Sequence, residues 1–412
     1  MPLQSDPIPR LPVFGWSAFA GGPSDVHSML ELPGLHYTTS GRAAILLALE
    51  ALGVGPGDQV LLPTYHCPTM VAPVTHLGAK PVFYPIDELG TPLIPWLVAH
   101  APRNARVLLA AHYFGLPQPM GLLREWCDQR GIAFIEDCAH ALFGVAGERP
   151  TGAWGDVSIG SLTKFLPVLE GGCLVMNRPA AMPALRPASA GEHFRAGIDV
   201  LETSASQGQL HGLNTLLLQG MGLMRRLRRS APNVTPAGPV AAAADAECPP
   251  GLASGPELLI DADLAHRALA RPCRWLADAL PHGRIVAKRR SHYQHLLEAL
   301  SGHGGLRPLL RHLPEQAAPY VFPLWVDQPD PGYAELRHCG MPVFRWDRLW
   351  PGMPLLPHDQ GRGWSHHVIQ LACHQDLSRE DIDRFVRQLL STYADGPASQ
   401  ETRPVAAGLA GV

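Results

Sequence analysis

The chain has 412 residues, a formal net charge of −3 and a hydrophobic fraction of 46%. This length predicts two domains rather than one small core, and the near balance of charge indicates neither a nucleic-acid partner nor an anionic membrane. No stretch reaches the roughly 18 apolar residues of a membrane span, and Asp6 and the early prolines interrupt any signal-peptide pattern. We therefore expect a cytoplasmic protein.

The eight cysteines are scattered, and no two of them have CxxC spacing. This distribution indicates neither a zinc ribbon nor a disulfide framework. The sequence therefore predicts reduced thiols that pack mostly as small core residues, and no bound metal.

Helix and strand patterns alternate between about residues 37 and 177. Ser40 is a natural N-cap for the helical run GRAAILLALEALG, which Gly53 closes. Apolar segments typical of buried strands then alternate with helical patterns, the strands being QVLLP, KPVFYPID, RVLLAAHYFG, IAFIEDCAH, GDVSIGSL and GGCLVMN. The alternation predicts an α/β fold with a mostly parallel sheet covered on both faces, and such sheets bind ligands at the carboxyl ends of their strands.

Composition divides the rest of the chain. We expect an N-terminal arm over 1–30, a large domain over 31–262 and a smaller α+β domain over 263–393. Residues 178–262 are rich in Pro, Ala, Gly and Ser, which indicates a mobile insertion or a loop over the site. The last helix, SREDIDRFVRQLL, has Ser378 as its N-cap, and the tail over 394–412 is expected to be disordered.

Lys164 stands in the segment SIGSLTKFLPVLEGG, just after a predicted strand and three residues after Ser161. A lysine that forms a Schiff base must lie at a strand end and be partly desolvated, so that its amine is neutral near pH 7. A surface lysine after a strand is the alternative, and this segment alone does not decide between the two.

Glu136 and Asp137 end the strongly apolar strand IAFIEDCAH, where a charge is costly unless it meets a partner. The pyridine nitrogen of pyridoxal 5′-phosphate (PLP) is such a partner, because a carboxylate keeps it protonated and the ring then acts as an electron sink. We assign this role to Asp137 and expect Glu136 to face the other side of the strand. His140 is placed to lie against the ring, although a helix N-cap for Asp137 and a core histidine for His140 are the alternatives.

Ser40 and Gly41 open a helix directly after a turn, which exposes backbone N–H groups and the positive end of the helix dipole. Such a helix start suits a phosphate. An ordinary capped helix would explain both residues equally well.

Together the ordered segments resemble the DegT/StrS family of PLP-dependent aminotransferases, which act mainly on nucleotide-linked keto sugars. The resemblance rests on SGRAAILLALEALGVGPGDQVLLP, GAKPVFYPID, HYFGLP, IEDCAHALFG and GDVSIGSLTKFLPVLEGGCLVMN, and it returns at AKRRSHYQHL and HQDLSREDIDRFVRQLL. It implies the fold-type-I aspartate-aminotransferase fold, with a large domain around a seven-stranded type of sheet. It also implies PLP as the cofactor and a homodimer with its active sites at the subunit interface.

Carried over by position, the resemblance makes Lys164 the Schiff-base lysine and Asp137 the partner of the ring nitrogen. His140 matches a position that is His or Gln in the family, and Gly41 and Arg42 match the backbone phosphate site. The phosphate-binding serine is best matched by Ser161, with Ser158 as a second candidate because the spacing from Ser161 to the lysine is two residues short.

Three departures from the family pattern affect the site. Cys67 aligns with the aromatic ring that usually stacks on PLP, so His66 or Tyr65 would have to cover the cofactor unless stacking is absent. Arg42 replaces a Thr or Ser next to the phosphate site. The segment that resembles GYNYR, which contributes to the neighbouring subunit's site, is not found.

These residues predict an aminotransferase that takes an amino group from a donor such as glutamate and gives it to a keto acceptor such as a nucleotide-linked keto sugar. Another PLP reaction on the same fold, such as a dehydratase or lyase reaction, is one alternative. A protein that binds PLP or a sugar without turnover is the other. For His366, His367 and His374 we expect structural roles rather than metal binding, and for Arg345 a surface salt bridge.

Overall fold

The computed structural model describes residues 8–22, 25–229, 251–252 and 258–394. The predicted tail over 394–412, apart from residue 394, and the centre of the predicted insertion lie outside the described residues. Among the described residues, no helix combines the length and apolar character needed to cross a membrane.

The helices and strands are numbered in chain order. The helices are α1 Gly41–Ala51, α2 Pro68–His76, α3 Ile94–His100, α4 Gly121–Arg130, α5 Ala190–Ser206, α6 Asn214–Arg229, α7 Ala262–Ala265, α8 Arg271–Ala279, α9 His282–Leu300, α10 Gly332–His338, α11 Gly361–His367 and α12 Arg379–Ala394. The strands are β1 Leu35–Thr38, β2 Gln59–Pro63, β3 Lys80–Tyr84, β4 Ala105–Ala111, β5 Ala133–Asp137, β6 Val145–Ala146, β7 Arg149–Pro150, β8 Val157–Ser161, β9 Gly172–Met176, β10 Gly251–Leu252, β11 Leu306–Pro308, β12 Val321–Val326, β13 Val343–Phe344, β14 Arg348–Leu349 and β15 Val368–Ala372.

The large sheet has seven strands in the order β1-β9-β8-β5-β4-β2-β3. Strands β3, β2, β4, β5 and β8 pair in parallel, and β9 runs antiparallel to both β8 and β1. The interior of β4 and β5 is almost wholly buried, as expected for apolar strands covered on both faces. The predicted mostly parallel α/β sheet is therefore confirmed.

A second sheet, in the order β11-β12-β15-β13, has antiparallel pairs throughout. Its core includes side chains from α9 and α12, and Ile8 of the N-terminal arm is buried in the same cluster. Helix α12 begins after the predicted cap, since Ser378 Oγ accepts a hydrogen bond from Asp381 N at 3.1 Å. This is the predicted smaller α+β unit, and the boundaries of the domains stay a prediction.

The described part of the 178–262 segment differs from the expected loop. Residues 190–206 and 214–229 form helices α5 and α6. Helix α5 begins with a full capping box, in which Ser189 and Glu192 bond each other's backbone N–H, and it buries Ala196 and Val200 against α8. The loop prediction is wrong for these residues because local capping and an apolar face outweigh the overall Pro/Ala/Gly composition.

Candidate functional site

The predicted site residues meet at one edge of the large sheet. Asp137 ends β5, Ser161 ends β8, and Cys67 follows β2 by four residues. The neighbouring strands β2, β4, β5 and β8 run in parallel, so their carboxyl ends share this edge. Helix α1 begins beside Ser161, which brings the predicted phosphate site to the same place.

Lys164 ends a short 3-10 helix, Leu162–Lys164, that directly follows β8. The residue is half-buried, and its Nζ lies 5.4 Å from the centre of the Tyr320 ring and has neither a hydrogen bond nor an ion pair with any described residue. Burial lowers the pKa of Lys164, against the opposing effects of Asp137 and Cys67. The amine therefore loses its proton more readily than a surface lysine, as a nucleophile requires.

A buried arginine from the second half of the chain holds the backbone at Lys164. Arg289 Nη2 donates to the carbonyl of Lys164 at 2.8 Å, and its Nη1 donates to the carbonyl of Tyr320 at 3.0 Å. Gln375 accepts from Arg289 at 2.9 Å and donates to the carbonyl of Phe165 at 2.9 Å. The two C-terminal segments that the sequence singled out, AKRRSHYQHL and HQDLSREDIDRFVRQLL, thus fix the turn that carries the lysine.

The two carboxylates at the end of β5 face opposite sides, as predicted. Glu136 accepts hydrogen bonds from His112 at 2.9 Å, from Ser158 Oγ at 3.1 Å and from three backbone N–H groups of residues 152–155. Burial alone would raise the pKa of Glu136, but His112 and the backbone donors bring it below its usual value. Glu136 is therefore a structural anchor.

Asp137 is buried, and its Oδ1 accepts from Ala139 N at 2.8 Å. Its other side-chain oxygen accepts no hydrogen bond from any described residue. Burial raises the pKa of Asp137, while Lys164 and the Ala139 N–H act in the opposite direction. A carboxylate oxygen without a donor, on a residue that is 4% exposed, fits a cationic ring nitrogen, which would supply the missing partner.

His140 lies three residues after Asp137 and is buried under two aromatic rings. Its ring centre is 4.5 Å from Tyr320 and 4.9 Å from Trp346, and its Nδ1 accepts from Phe114 N at 3.3 Å. Burial, with a further contribution from Lys164, holds the pKa of His140 well below its usual value. The ring is therefore neutral and carries its proton on Nε2.

The start of α1 and the end of β8 form a cradle for an anion. A side chain built at Gly41 would have its Cβ 3.4 Å from Ser161 Cβ and 3.8 Å from Ser161 Oγ, so the glycine leaves this space open. Ser161 Oγ contacts Thr163 Oγ1 at 3.3 Å, and the first N–H groups of α1 have no acceptor within the helix. Backbone donors, a hydroxyl and a helix start together suit a phosphate.

The side chains of the other two phosphate-site candidates, Ser158 and Arg42, point away from this cradle. Ser158 is fully buried and donates to Glu136, so it faces the side away from Asp137. The Arg42 guanidinium donates to the carbonyl of Leu259 at 2.7 Å, which turns its side chain towards the 259 segment while its backbone stays in the first turn of α1.

His66 does not cover the site. Its ring stacks on Phe83 with centres 4.9 Å apart, and its Nδ1 lies 2.9 Å from the carbonyl of Thr64. Nε2 accepts from Trp350 N at 3.3 Å, and burial lowers the pKa of His66 to about 4. The expectation that His66 covers a cofactor is wrong, because both of its nitrogens are used by the backbone and its ring packs in the core.

Tyr65 is fully buried within a group of aromatic rings, and its hydroxyl accepts from Gln370 at 3.2 Å. Cys67 is the half-buried N-cap residue of α2, and its sulfur accepts from Thr69 Oγ1 at 3.0 Å. Cys67 raises the pKa of Lys164 electrostatically, against the larger effect of burial. At position 67, which aligns with the ring that usually stacks on PLP, this chain therefore has a thiol and no aromatic ring.

Three residues at the site were not predicted from the sequence: Arg10, Tyr320 and Trp346. Arg10 and Tyr320 line one small cleft together with Lys164, and Arg10 lies 4.0 Å from the centre of the Phe344 ring. Trp346 packs on His140. These residues lie in the N-terminal arm and in the C-terminal half, outside the segments that carry the family resemblance, so only the folded chain brings them to the sheet edge.

The remaining candidates have structural roles. His374 Nε2 donates to the carbonyl of Pro9 at 2.9 Å, and His367 bonds the carbonyl of Val326 at 2.9 Å and stacks on Trp325. Arg345 is buried and pairs with Asp330 and Asp347, so the expected salt bridge is present but lies inside the protein.

Within the described residues, His112, Glu136 and Cys138 place ligand-type atoms within 4.8 Å of one another. The carboxylate of Glu136 already accepts five hydrogen bonds, so protein groups satisfy it.

Comparison with known proteins agrees with this geometry. Residues 36–206 match the model of the DegT/DnrJ/EryC1/StrS aminotransferase family. GDP-perosamine synthase of Vibrio cholerae is 33% identical over 147 residues, which is 34% of this chain and 40% of that protein. The dTDP-3-amino-3,4,6-trideoxy-alpha-D-glucose transaminase of Streptomyces venezuelae is 41% identical over 104 residues, or 25% of this chain and 27% of that protein. The chain thus aligns with less than half the length of these relatives.

The fold extends further than the sequence match. The PLP form of Spr1654 from Streptococcus pneumoniae superimposes with a TM-score of 0.56 at 16% identity, covering 89% of this chain and 88% of that one. The aminotransferase TlmJ from Streptoalloteichus hindustanus superimposes with the same TM-score at 20% identity, covering 88% of this chain and 86% of that one. The large sheet and the second unit therefore form the fold of the PLP-dependent aminotransferases. The predicted family resemblance and fold are confirmed.

Proposed function

We propose that this chain, whose residues 36–206 match the model of the DegT/DnrJ/EryC1/StrS aminotransferase family, is a PLP-dependent aminotransferase. The observation that carries the proposal is the presence, at one sheet edge, of an amine and a carboxylate oxygen that have no hydrogen-bond partner among the described residues. Lys164 has an amine of lowered pKa without a partner, and Asp137 has an oxygen without a donor. PLP carries an aldehyde for the first group and a ring nitrogen for the second.

The residues present fit this cofactor at three points. Lys164 would hold its aldehyde carbon, Asp137 its ring nitrogen, and Ser161 with the N–H groups of Gly41 and Arg42 its phosphate. His140, neutral and with its proton on Nε2, would donate to an oxygen on the ring. When bound, the cofactor supplies an electron sink that stabilises negative charge on the carbon next to the substrate's amino group.

The protein's own groups perform the proton transfers and the exclusion of water. Once an amino donor has displaced it, the Lys164 amine would remove a proton from the donor's carbon as a general base and return it as an acid. Asp137 would keep the ring nitrogen protonated throughout. Tyr320 and Trp346, which pack on His140, would shield the bound cofactor from solvent.

Glutamate is the donor we propose, and a nucleotide-linked keto sugar is the acceptor. The names of the relatives support the acceptor, because both aligned proteins are named for nucleotide sugars or their amino derivatives. We further propose a homodimer in the cytoplasm, where the free thiols of the seven described cysteines would stay reduced.

A half-reaction tests the proposal. Protein loaded with PLP and mixed with glutamate should lose the absorbance of its lysine-bound cofactor and release one equivalent of 2-oxoglutarate, and a keto sugar nucleotide should restore the absorbance. Lys164→Ala is the matched control and should release none. Protein that binds PLP but forms no oxo acid from glutamate, glutamine or any other amino acid would exclude an aminotransferase and favour a binding protein.

A further inference from the structure

Trp346 reaches from the C-terminal half over the edge that carries Lys164 and Asp137. Its ring centre lies 5.0 Å from that of Tyr65, which follows β2, and 4.9 Å from that of His140, which follows β5. The indole is half-buried, and its N–H has no acceptor among the described residues. A large aromatic side chain therefore bridges the two strand ends that flank the proposed cofactor.

The segment that carries Trp346 is held on both sides. Before it, the buried Arg345 pairs with Asp330 at 2.8 Å and with Asp347 at 3.1 Å. After it, Trp350 N donates to His66 Nε2 at 3.3 Å. This second bond joins the segment to the residue next to Cys67. The position of the indole is thus fixed by contacts that do not involve its own ring.

A flat heteroaromatic ring bound between Asp137 and Lys164 has two faces to cover, and the position aligned with the family's stacking ring carries the thiol of Cys67. A thiol is too small to cover such a ring, whereas an indole gains both buried apolar area and stacking. Tyr320 also packs on His140, but it lies at the Lys164 end, in the cleft shared with Arg10. Trp346 is the ring that packs on Tyr65, two residues before Cys67.

We propose that Trp346 covers one face of the cofactor's ring and supplies the aromatic stacking that Cys67 cannot provide. The inference rests on the proposed function, because it assigns a residue to the cofactor site. It gives the C-terminal half a direct part in cofactor binding, in addition to the support that Arg289 gives Lys164.

The test measures PLP affinity by titration of absorbance and of tryptophan fluorescence. Trp346→Ala should weaken the affinity roughly tenfold to a hundredfold, and Trp346→Phe by less than about threefold. The quenching of tryptophan fluorescence by bound PLP should shrink most in Trp346→Phe. Trp275→Phe, at an exposed tryptophan on α8, is the matched control and should keep both the affinity and the quenching of the unaltered protein.

The double variant Cys67→Phe with Trp346→Ala separates cofactor cover from general packing. A ring restored at residue 67 should recover most of the lost affinity. If Trp346→Ala and Trp346→Phe bind PLP as tightly as the unaltered protein, or if Cys67→Phe recovers nothing, the inference is overturned. Borohydride trapping of PLP on the unaltered protein is run in parallel, because failure to trap any PLP would overturn the proposed function instead.

Discussion

Asp137 and Glu136 are neighbours on β5 with opposite surroundings. Glu136 faces five hydrogen-bond donors, and its pKa is lowered. The side chain of Asp137 accepts one hydrogen bond from the described residues, donated by the backbone N–H of Ala139, and burial raises its pKa. The ionised Glu136 therefore stabilises the fold. The ionised form of Asp137 is instead disfavoured by its surroundings in the folded protein. That imbalance is typical of functional sites.

Substitution of each acid by its amide should therefore have opposite effects. In Glu136→Gln at least one backbone N–H loses its acceptor, so the free energy of unfolding should fall by about 2–4 kcal/mol. In Asp137→Asn that free energy should stay within about 1 kcal/mol, while PLP affinity falls roughly tenfold to a hundredfold. Urea denaturation and PLP titration of both variants check this. A large loss of stability in Asp137→Asn would show that its carboxylate is a structural anchor instead.

The principal chemical groups could be predicted from the sequence, because Lys164, Asp137 and Ser161 sit in local motifs whose strand positions fix their direction. Alternation along β5 correctly placed Glu136 and Asp137 on opposite sides. His66 could not be placed in the same way. It follows a strand in an irregular turn, where direction depends on the carbonyl of Thr64 and on Trp350, which is distant in sequence.

At the scale of elements, the site depends on how closely β9 approaches the turn before α1. A Cβ at Gly172 would lie 2.3 Å from the carbonyl of Ser40, so a glycine is required there. Ser40 also caps α1, accepting from Ala43 N at 3.1 Å. The motif Glu170-Gly171-Gly172 after the lysine thus helps to position the helix start that would bind the phosphate.

Two serines of β8 test that cradle. Ser161→Ala should weaken PLP affinity roughly tenfold, since a charge-assisted hydrogen bond to the phosphate is lost, with little change in the free energy of unfolding. Ser158→Ala should lower the free energy of unfolding by about 1–2 kcal/mol, since Glu136 and Asn177 lose a partner, and should leave PLP affinity nearly unchanged. The reverse pattern would identify Ser158 as the phosphate-binding residue.

The elements of the large sheet were predictable because periodicity and turn residues agree along residues 37–177. Helices α5 and α6 were not predicted, because the composition of the whole 178–262 segment concealed the local capping box at Ser189 and Glu192. Arg10, Tyr320 and Trp346 were missed for another reason. They approach the site only through contacts between distant parts of the chain.

At the scale of the whole molecule, buried neutral histidines tie distant segments together. His374 bonds Pro9 of the N-terminal arm, and burial lowers its pKa to about 3. His66 bonds Trp350, with a pKa of about 4. Both stay neutral in the folded protein, whereas in the unfolded chain they take up a proton near pH 6.5. Their contribution to stability is therefore complete above about pH 6.5 and is lost as the pH falls below it.

Acid should accordingly begin to destabilise the protein as the pH falls below about 6.5. Between about pH 7.5 and about pH 5, each of the two histidines should lower the free energy of unfolding by about 2 kcal/mol. His374→Gln should show a fall smaller than that of the unaltered protein by that amount, measured by urea denaturation at each pH. Parallel curves for the two proteins would mean that His374 is protonated in the folded state.

The central claim is the covalent attachment of PLP to one amine, and the chain is well suited to its test because its three lysines are Lys80, Lys164 and Lys288. Lys80 and Lys288 are exposed, and Lys164 is half-buried at the sheet edge. Reduction of the PLP-loaded protein with borohydride, followed by digestion and mass spectrometry, should find the pyridoxyl group on the peptide that contains Lys164. Its appearance on Lys80 or Lys288 alone, or on none of the three, would contradict the account.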